Sequence, residues 1–266
     1  MKKRILGAII ILAIFIPLLV KGGIYFAGFT VILGLMGFKE LYDARYKERK
    51  LPLLLELLSF LCVAFLIMNH YESSELTLVL DYQVLSLFMI AFLVPIVIIH
   101  DFKKYNLEDA LYLLGSAIFL GLSFNLMILM RNYSFLYILY FFLITTMTDS
   151  FALFTGRLVG VHKLAPHISP NKTVEGTIGG TVMGSLIAAT FYLTAINPDI
   201  NIIILVLVTI LLSLVGQVGD LVFSAIKRVY GKKDFSNLIP GHGGILDRFD
   251  SIIFVVITAV LLMNII

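Results

Sequence analysis

Apolar runs on the scale of a lipid bilayer follow one another along the whole sequence, and they identify the solvent before any motif is read. A membrane-crossing helix needs about 20 apolar residues, fewer where the bilayer is thin. Such segments lie near residues 5–20, 24–38, 51–68, 82–99, 109–130, 135–155, 176–196, 202–225 and 250–265. Composition agrees: 60% of the 266 residues are hydrophobic and 14% are charged, where a soluble domain has roughly half and a quarter. A larger core does not explain the excess, because a chain of this size still needs a polar surface. The expected fold is all-α, a polytopic integral membrane protein of about nine transmembrane helices. Met1-Lys2-Lys3-Arg4 followed by Ile5–Val20 has the charge pattern of a signal peptide but no convincing small-x-small cleavage site. It reads as a retained first span.

Charge placement gives the orientation. With nine spans, the N-terminus and segments 39–50, 101–108, 156–175 and 226–249 share one side. They hold all of the 20 Lys and Arg except Lys21 and Arg131. Positive loops face the cytoplasm, so the N-terminus and both long polar loops are expected there. Merging the first two spans, which only Lys21-Gly22-Gly23 separates, would put Lys2, Lys3 and Arg4 on the wrong side. No Pro/Ser-rich linker or charge block divides the chain. A single membrane domain is expected, with scaffold spans over about 1–134 and the functional half over about 135–266. The one cysteine, Cys62, sits in an apolar run, which leaves no disulfide framework and no thiolate metal cluster.

Ionisable groups inside spans are costly and mark cavities by default. In the eighth span Ser213, Gln217, Asp220, Ser224 and Lys227 are spaced 4, 3, 4 and 3 apart, which stacks them on one helix face. Val218, Leu221, Val222 and Ala225 take the other faces. The result is a hydrophilic stripe entering the membrane from the cytoplasmic end. An interhelical hydrogen-bond ladder, an ion pathway and a catalytic cavity would each look like this. Asp149, in Thr145-Thr146-Met147-Thr148-Asp149-Ser150, has Thr145 and Ala152 as helical neighbours and should face the protein interior. Spacing alone leaves its role open between structure and function.

Two loops add chemistry. Ser169-Pro170-Asn171-Lys172-Thr173-Val174-Glu175-Gly176 leads into the seventh span. Proline breaks the preceding structure, and Ser and Thr are natural caps. A helix N-terminus with Lys172 beside it is an anion site in kind; ordinary capping plus a surface lysine accounts for the same residues. Gly176, Gly180 and Gly184 recur every four residues, a spacing better explained by close helix packing. In the last loop, Lys227, Arg228, Lys232 and Lys233 precede Pro240-Gly241-His242-Gly243-Gly244-Ile245-Leu246-Asp247-Arg248-Phe249-Asp250. Glycines let backbone amides curl around a phosphate. Carboxylates beside such a cradle are repulsive unless a hard cation lies between, and Mg²⁺ bound by one or two carboxylates plus phosphate oxygens resolves the conflict. Asp250 could equally cap the last helix.

Taken together, Ser224-Ala225-Ile226-Lys227-Arg228, then Lys233-Asp234, Ser236, Ile239-Pro240, His242-Gly243-Gly244-Ile245 and Asp247-Arg248-Phe249-Asp250 resemble the signature of phosphatidate cytidylyltransferases, also called CDP-diacylglycerol synthases. Ser169–Gly176 resembles a second block of that family, and Gln217-Val218-Gly219-Asp220-Leu221 its lead-in. Asn171, Leu153 and Phe223 depart from the pattern, standing where a lysine, an aromatic residue and a glutamate are common.

The resemblance implies cytidylyl transfer from CTP to phosphatidic acid, giving CDP-diacylglycerol and pyrophosphate, with Mg²⁺ and room for a second metal ion. Asp220 and Asp247 are then the metal ligands and Lys227 a catalytic residue, with Asp149 in support. Lys172, Ser169, Thr173, Glu175, Ser224, Arg228, Gly241, His242, Gly243, Gly244, Arg248 and Asp250 are the substrate- and phosphate-binding positions. Expected partners are CTP, phosphatidic acid and the bilayer, with a homodimer open and nucleic acid excluded. The expected location is the inner or plasma membrane, with the site facing the cytoplasm. Three other readings stand beside this one: a cytidylyltransferase for an ether-linked isoprenoid phosphate, a CTP-dependent polyprenol kinase, and an ion-coupled transporter using the stripe. The transporter leaves the glycine-rich basic loop without a purpose.

Overall fold

In hydrocarbon the backbone must satisfy its own hydrogen bonds, so long apolar segments become helices. The computed structural model describes residues 13–73, 82–238 and 243–263. Its helices follow the hydropathy in order: α1 (13–21), α2 (Gly23–Arg45), α3 (Leu53–Met68), α4 (Tyr82–Ile99), α5 (Leu107–Tyr133), α6 (Phe135–Val159), α7 (Val174–Ala195), α8 (Ile202–Val229) and α9 (Leu246–Leu262). Among the described residues, six of them (α2 and α4 to α8) are long and apolar enough to cross a membrane. The protein is a mainly helical, multi-pass membrane protein. The start of the first expected span, the end of the last, and Gly241 and His242 lie outside the described residues.

The chain divides into two compact units, one of Ile10–Asn132 and one containing Tyr133–Ile266. In the first, Gly22 ends α1 with a left-handed φ of 65°. The Arg131 guanidinium donates to the carbonyls of Leu19 (2.9 Å) and Val20 (2.8 Å) there, and a methyl group on Gly22 would overlap it. Asp109 is fully buried. It is compensated by Arg49, by Arg45 at 3.6 Å and by the Tyr46 hydroxyl at 3.3 Å. It also exchanges backbone-to-side-chain hydrogen bonds with Asn106 at the start of α5. A buried carboxylate persists only when paired in this way.

The C-terminal unit is built on close helix contacts. A Cβ on Gly180 would lie 2.6 Å from the Thr148 carbonyl oxygen, and one on Gly176 would lie 2.7 Å from that of Ala152. Gly184 meets Thr148 in the same manner. The four-residue glycine repeat therefore lets α7 lie against α6 backbone to backbone, as small residues do in lipid. Gly216 and Gly219 of α8 admit α9 likewise, with Asp250 O and Phe254 Cβ each 2.9 Å from the Cβ site of Gly219.

The all-α expectation is corrected in one place. Between α6 and α7 the chain forms an antiparallel hairpin, β1 (Lys163–Ala165) with β2 (Ser169–Thr173), pairing Lys163 with Thr173 and Ala165 with Ser169. Pro166 holds the second position of the turn, which the Ile168 N–H closes onto the Ala165 carbonyl at 3.1 Å. A polar segment punctuated by Pro166 and Pro170 cannot continue a helix, and it satisfies its backbone by folding onto itself.

Candidate active site

The period of α8 places its polar residues on one buried face. Ser213, Gln217, Ser224 and Lys227 are buried and Asp220 half-buried, while Val218 and Val222 are exposed. Each polar group on the face has a partner. The Ser213 and Thr148 hydroxyls are 2.8 Å apart, the Gln217 amide donates to Thr181 Oγ1 at 2.8 Å, and Ser224 Oγ donates to Asp220 Oδ1 at 3.3 Å. The deeper part of the stripe thus stitches α6, α7 and α8 together. Its shallower part carries charge.

Lys172 comes to this face from β2. Its ammonium lies 2.6 Å from Asp220 Oδ2 and also donates to the Gln217 carbonyl at 3.5 Å. Strand geometry explains the reach, because successive side chains point to opposite faces. Thr173 turns inward, its Oγ1 accepting from the Gly176 N–H at 3.1 Å as the cap of α7. It fills the space that side chains on Gly156, Gly160 and Gly176 would occupy. Lys172 must then face the other way, toward α8.

Two more carboxylates complete a cluster. Asp149 of α6 lies within Coulombic reach of Asp220, Lys172 and Arg248, and Asp250 of α9 within reach of Asp220, Asp149 and Lys227. Asp149 is exposed, which corrects the expectation that it faces the protein interior, and among the described residues no hydrogen bond falls on its carboxylate. Asp250 is 9% exposed and accepts at Oδ1 from the Ser251 N–H at 2.8 Å. It lies inside α9, which begins at Leu246, so the helix-cap alternative for Asp250 is excluded. Asp149 and Asp250 are thus in electrostatic range of the Lys172–Asp220 pair, with Arg248 in range of Asp149.

Lys227 and Asp247 form a second, buried pair. Lys227 Nζ lies 2.7 Å from Asp247 Oδ1, while Asp247 Oδ2 accepts from the N–H groups of Gly244 (2.8 Å) and Phe235 (3.0 Å). The Lys227 ammonium also stands 5.5 Å from the centroid of the Phe235 ring, which packs edge-on against Phe223. Gly243 takes φ 83°, and a Cβ there would press on Asp247 Oδ2 at 2.7 Å. The glycine-rich loop is thus wrapped around a carboxylate on its described side. Phe235 is a site-forming residue that motif reasoning passed over. Its signal was an aromatic side chain directly after Lys232-Lys233-Asp234.

The remaining expected positions are dispersed in role. Arg228 is exposed and donates to the carbonyls of Ile168 (3.1 Å) and Lys232 (2.9 Å), tying the hairpin turn to the end of α8. Arg248 is exposed on the first turn of α9. Ser169 opens β2, opposite Ala165. Glu175 faces His162 and the backbone before β1 rather than the cluster.

Comparison with known proteins agrees with the motifs. The profile of the cytidylyltransferase family matches residues 2–266. Phosphatidate cytidylyltransferase of Staphylococcus epidermidis is 40% identical over 256 residues, covering 96% of this chain and 96% of its own. The enzymes of that name from Staphylococcus aureus (40%) and Staphylococcus saprophyticus (39%) match over the same shares.

Proposed function

The chain belongs to the cytidylyltransferase family, and from that premise we propose that it is a phosphatidate cytidylyltransferase, making CDP-diacylglycerol and pyrophosphate from CTP and phosphatidic acid. In this reaction a lipid phosphate oxygen bonds to the α-phosphorus of CTP, and the bond from that phosphorus to the bridging oxygen of the β-phosphate breaks. The phosphate monoester is already largely ionised at neutral pH, so no general base is required. What the site must supply is positive charge and alignment. The observation that carries the reading is the Lys172–Asp220 ion pair at 2.6 Å, with Asp149 and Asp250 in electrostatic range of it, inside a chain similar over nearly its full length to enzymes of that name.

Lys172 is assigned to the triphosphate. An ammonium has three donors; Asp220 and the Gln217 carbonyl take two, which leaves one for a phosphate oxygen. Lys227, held by Asp247, is assigned to the reacting phosphates. The donor set also fits a hard divalent cation. No three metal-ligating side chains among the described residues stand ready to hold an ion by themselves, but Mg²⁺ commonly takes one or two carboxylates and completes its shell with water and phosphate oxygens. Asp220 is the first ligand in this assignment, with Asp250 and Asp149 beside it. Asp247, the other expected ligand, accepts from Lys227 at Oδ1 and from two amides at Oδ2, which leaves one lone pair on Oδ1 for a cation. When bound, Mg²⁺ supplies charge neutralisation at the transferring phosphoryl group.

The nine hydrophobic segments are read as nine crossings, with the N-terminus and the site facing the cytoplasm and the chain in the plasma membrane. The distribution of Lys and Arg supports this sidedness, and so does a water-soluble triphosphate as substrate. The test is to incubate purified protein with α-labelled CTP, phosphatidic acid and Mg²⁺. Label in the lipid phase is the expected result. Label remaining in water as CDP, with a phosphorylated lipid formed, would identify a kinase instead.

A further inference from the structure

We propose that Glu175 is a positioning residue that sets the register of the β-hairpin and so aims Lys172 at the phosphate site. Glu175 stands in the first turn of α7, beside an anion-binding loop, where a carboxylate would repel a triphosphate. Its oxygens are already engaged elsewhere. Oε2 accepts from the N–H groups of Val161 (3.1 Å) and His162 (3.2 Å), while Oε1 lies 2.6 Å from His162 Nδ1 and 3.2 Å from the His162 N–H. From the other side, the Val174 N–H donates to the His162 carbonyl at 2.9 Å. These bonds join the two feet of the hairpin, residues 161–162 and 174–175, immediately before the Lys163–Thr173 pair.

Lys172 is one residue from that clamped pair. The ladder shifts register between Lys163 and Ala165, so the Lys163–Thr173 pair is what fixes the facing of Lys172; a slip of one residue there would turn Lys172 toward α6 and bring Thr173 toward Asp220. Thr173 caps α7 by itself, with Gly176 at the position where a capping box would carry Glu or Gln. Glu175 is therefore not needed for the cap, and its bonds run outward to the segment entering β1. The far end of the hairpin is tied separately, through Arg228 and the Ile168 carbonyl. Lys172 is thus held between a base fixed by Glu175 and a turn fixed by Arg228.

The inference rests on the reading of Lys172 as a CTP-binding residue, and the experiment separates the two. Full-length enzyme in nanodiscs is compared as wild type, Glu175→Ala, Glu175→Gln, Lys172→Met and the Glu175→Ala/Lys172→Met double variant. Glu175→Ala should raise the KM for CTP about tenfold, the scale of a lost charge-assisted hydrogen bond, with kcat changed less than about threefold. Glu175→Gln, which keeps one acceptor oxygen, should fall between. With Met at position 172, Glu175→Ala should add less than about twofold, because two residues acting through one contact are not additive. Where Lys172→Met itself raises the KM, an equal KM effect of Glu175→Ala in both backgrounds, or none in a folded Glu175→Ala variant, overturns the proposal.

Spin labels at the exposed positions His167 and Lys233 read the hairpin without reference to nucleotide. Their distance distribution should broaden in Glu175→Ala, or in Glu175→Gln if the alanine variant does not fold, and an unchanged distribution overturns the proposal. If the distribution broadens while Lys172→Met leaves the KM for CTP unchanged, the assignment of Lys172 fails and the positioning of the hairpin by Glu175 stands.

Discussion

The ammonium of Lys172, on a strand outside the helices, lies 2.6 Å from the carboxylate of Asp220, nine residues in from the end of α8. At about 1.5 Å of rise per residue, Asp220 is roughly 14 Å down its helix. The hairpin is the device that carries a loop lysine to that depth, and the contact brings the loop motif and the intramembrane stripe to one place.

That contact predicts a division of kinetic labour. Lys172→Met should mainly raise the KM for CTP, with that for phosphatidic acid less affected, because it removes a binding contact kept through the reaction. Asp220→Asn should lower activity by roughly 10²-fold or more, the scale of a strong transition-state contact, and should raise the Mg²⁺ concentration needed for half-activity. Steady-state kinetics with Mg²⁺ titration checks both. Full activity of Asp220→Asn at ordinary Mg²⁺ removes it as a ligand.

The Lys227–Asp247 pair should behave as a unit. Both side chains are buried, so removing either leaves an uncompensated charge, at a cost of roughly 3–5 kcal/mol. Lys227→Met and Asp247→Asn should each lower kcat and the melting temperature, and the double variant should fall well short of the sum of the two. A double-mutant cycle on thermal stability and kcat decides the matter. Strict additivity would mean that the 2.7 Å contact does not operate in solution.

Glycine packing supplies a prediction independent of chemistry. Gly180→Val puts a branched side chain where a single Cβ would already stand 2.6 Å from the Thr148 carbonyl. The expected loss is about 1–3 kcal/mol, typical of overpacking, read as a lower melting temperature in detergent. Val182→Ala, on the exposed side of the same helix, should change little.

Sidedness is tested with single introduced cysteines. Labels near Lys47 and Lys163 should be blocked by impermeant thiol reagents only when the cytoplasmic face is exposed, and one near Asp199 only from outside. Labelling of Lys47 and Lys163 positions from opposite faces would refute nine crossings.

Much of the site was readable from spacing. The five polar residues of α8 announced their face through the helical period, and Gly176, Gly180 and Gly184 announced a packing seam through theirs. The hairpin was not readable as strands. β1 is three residues long, and its pairing is held by Glu175 and Arg228, contacts that no local periodicity encodes. Phe235 was missed because its importance lies in touching Phe223 and Lys227. Asp250 was ambiguous between cap and site until the start of α9 at Leu246 was known.

The sequence by itself determined that the chain lives in a membrane, where its helices fall, which face of α8 is polar and which family its motifs resemble. Those properties follow from local terms: the cost of exposing polar groups to lipid and the 3.6-residue repeat, both legible in one stretch of chain. Only the tertiary structure decided which charges meet. Lys172 pairs with Asp220 across 48 positions and Lys227 with Asp247 across 20, while Asp149 and Asp250 come into range of one another from the sixth and ninth helices. Coulomb energy depends on separation in space, and here that separation is set by how closely glycine lets α7 approach α6 and α9 approach α8.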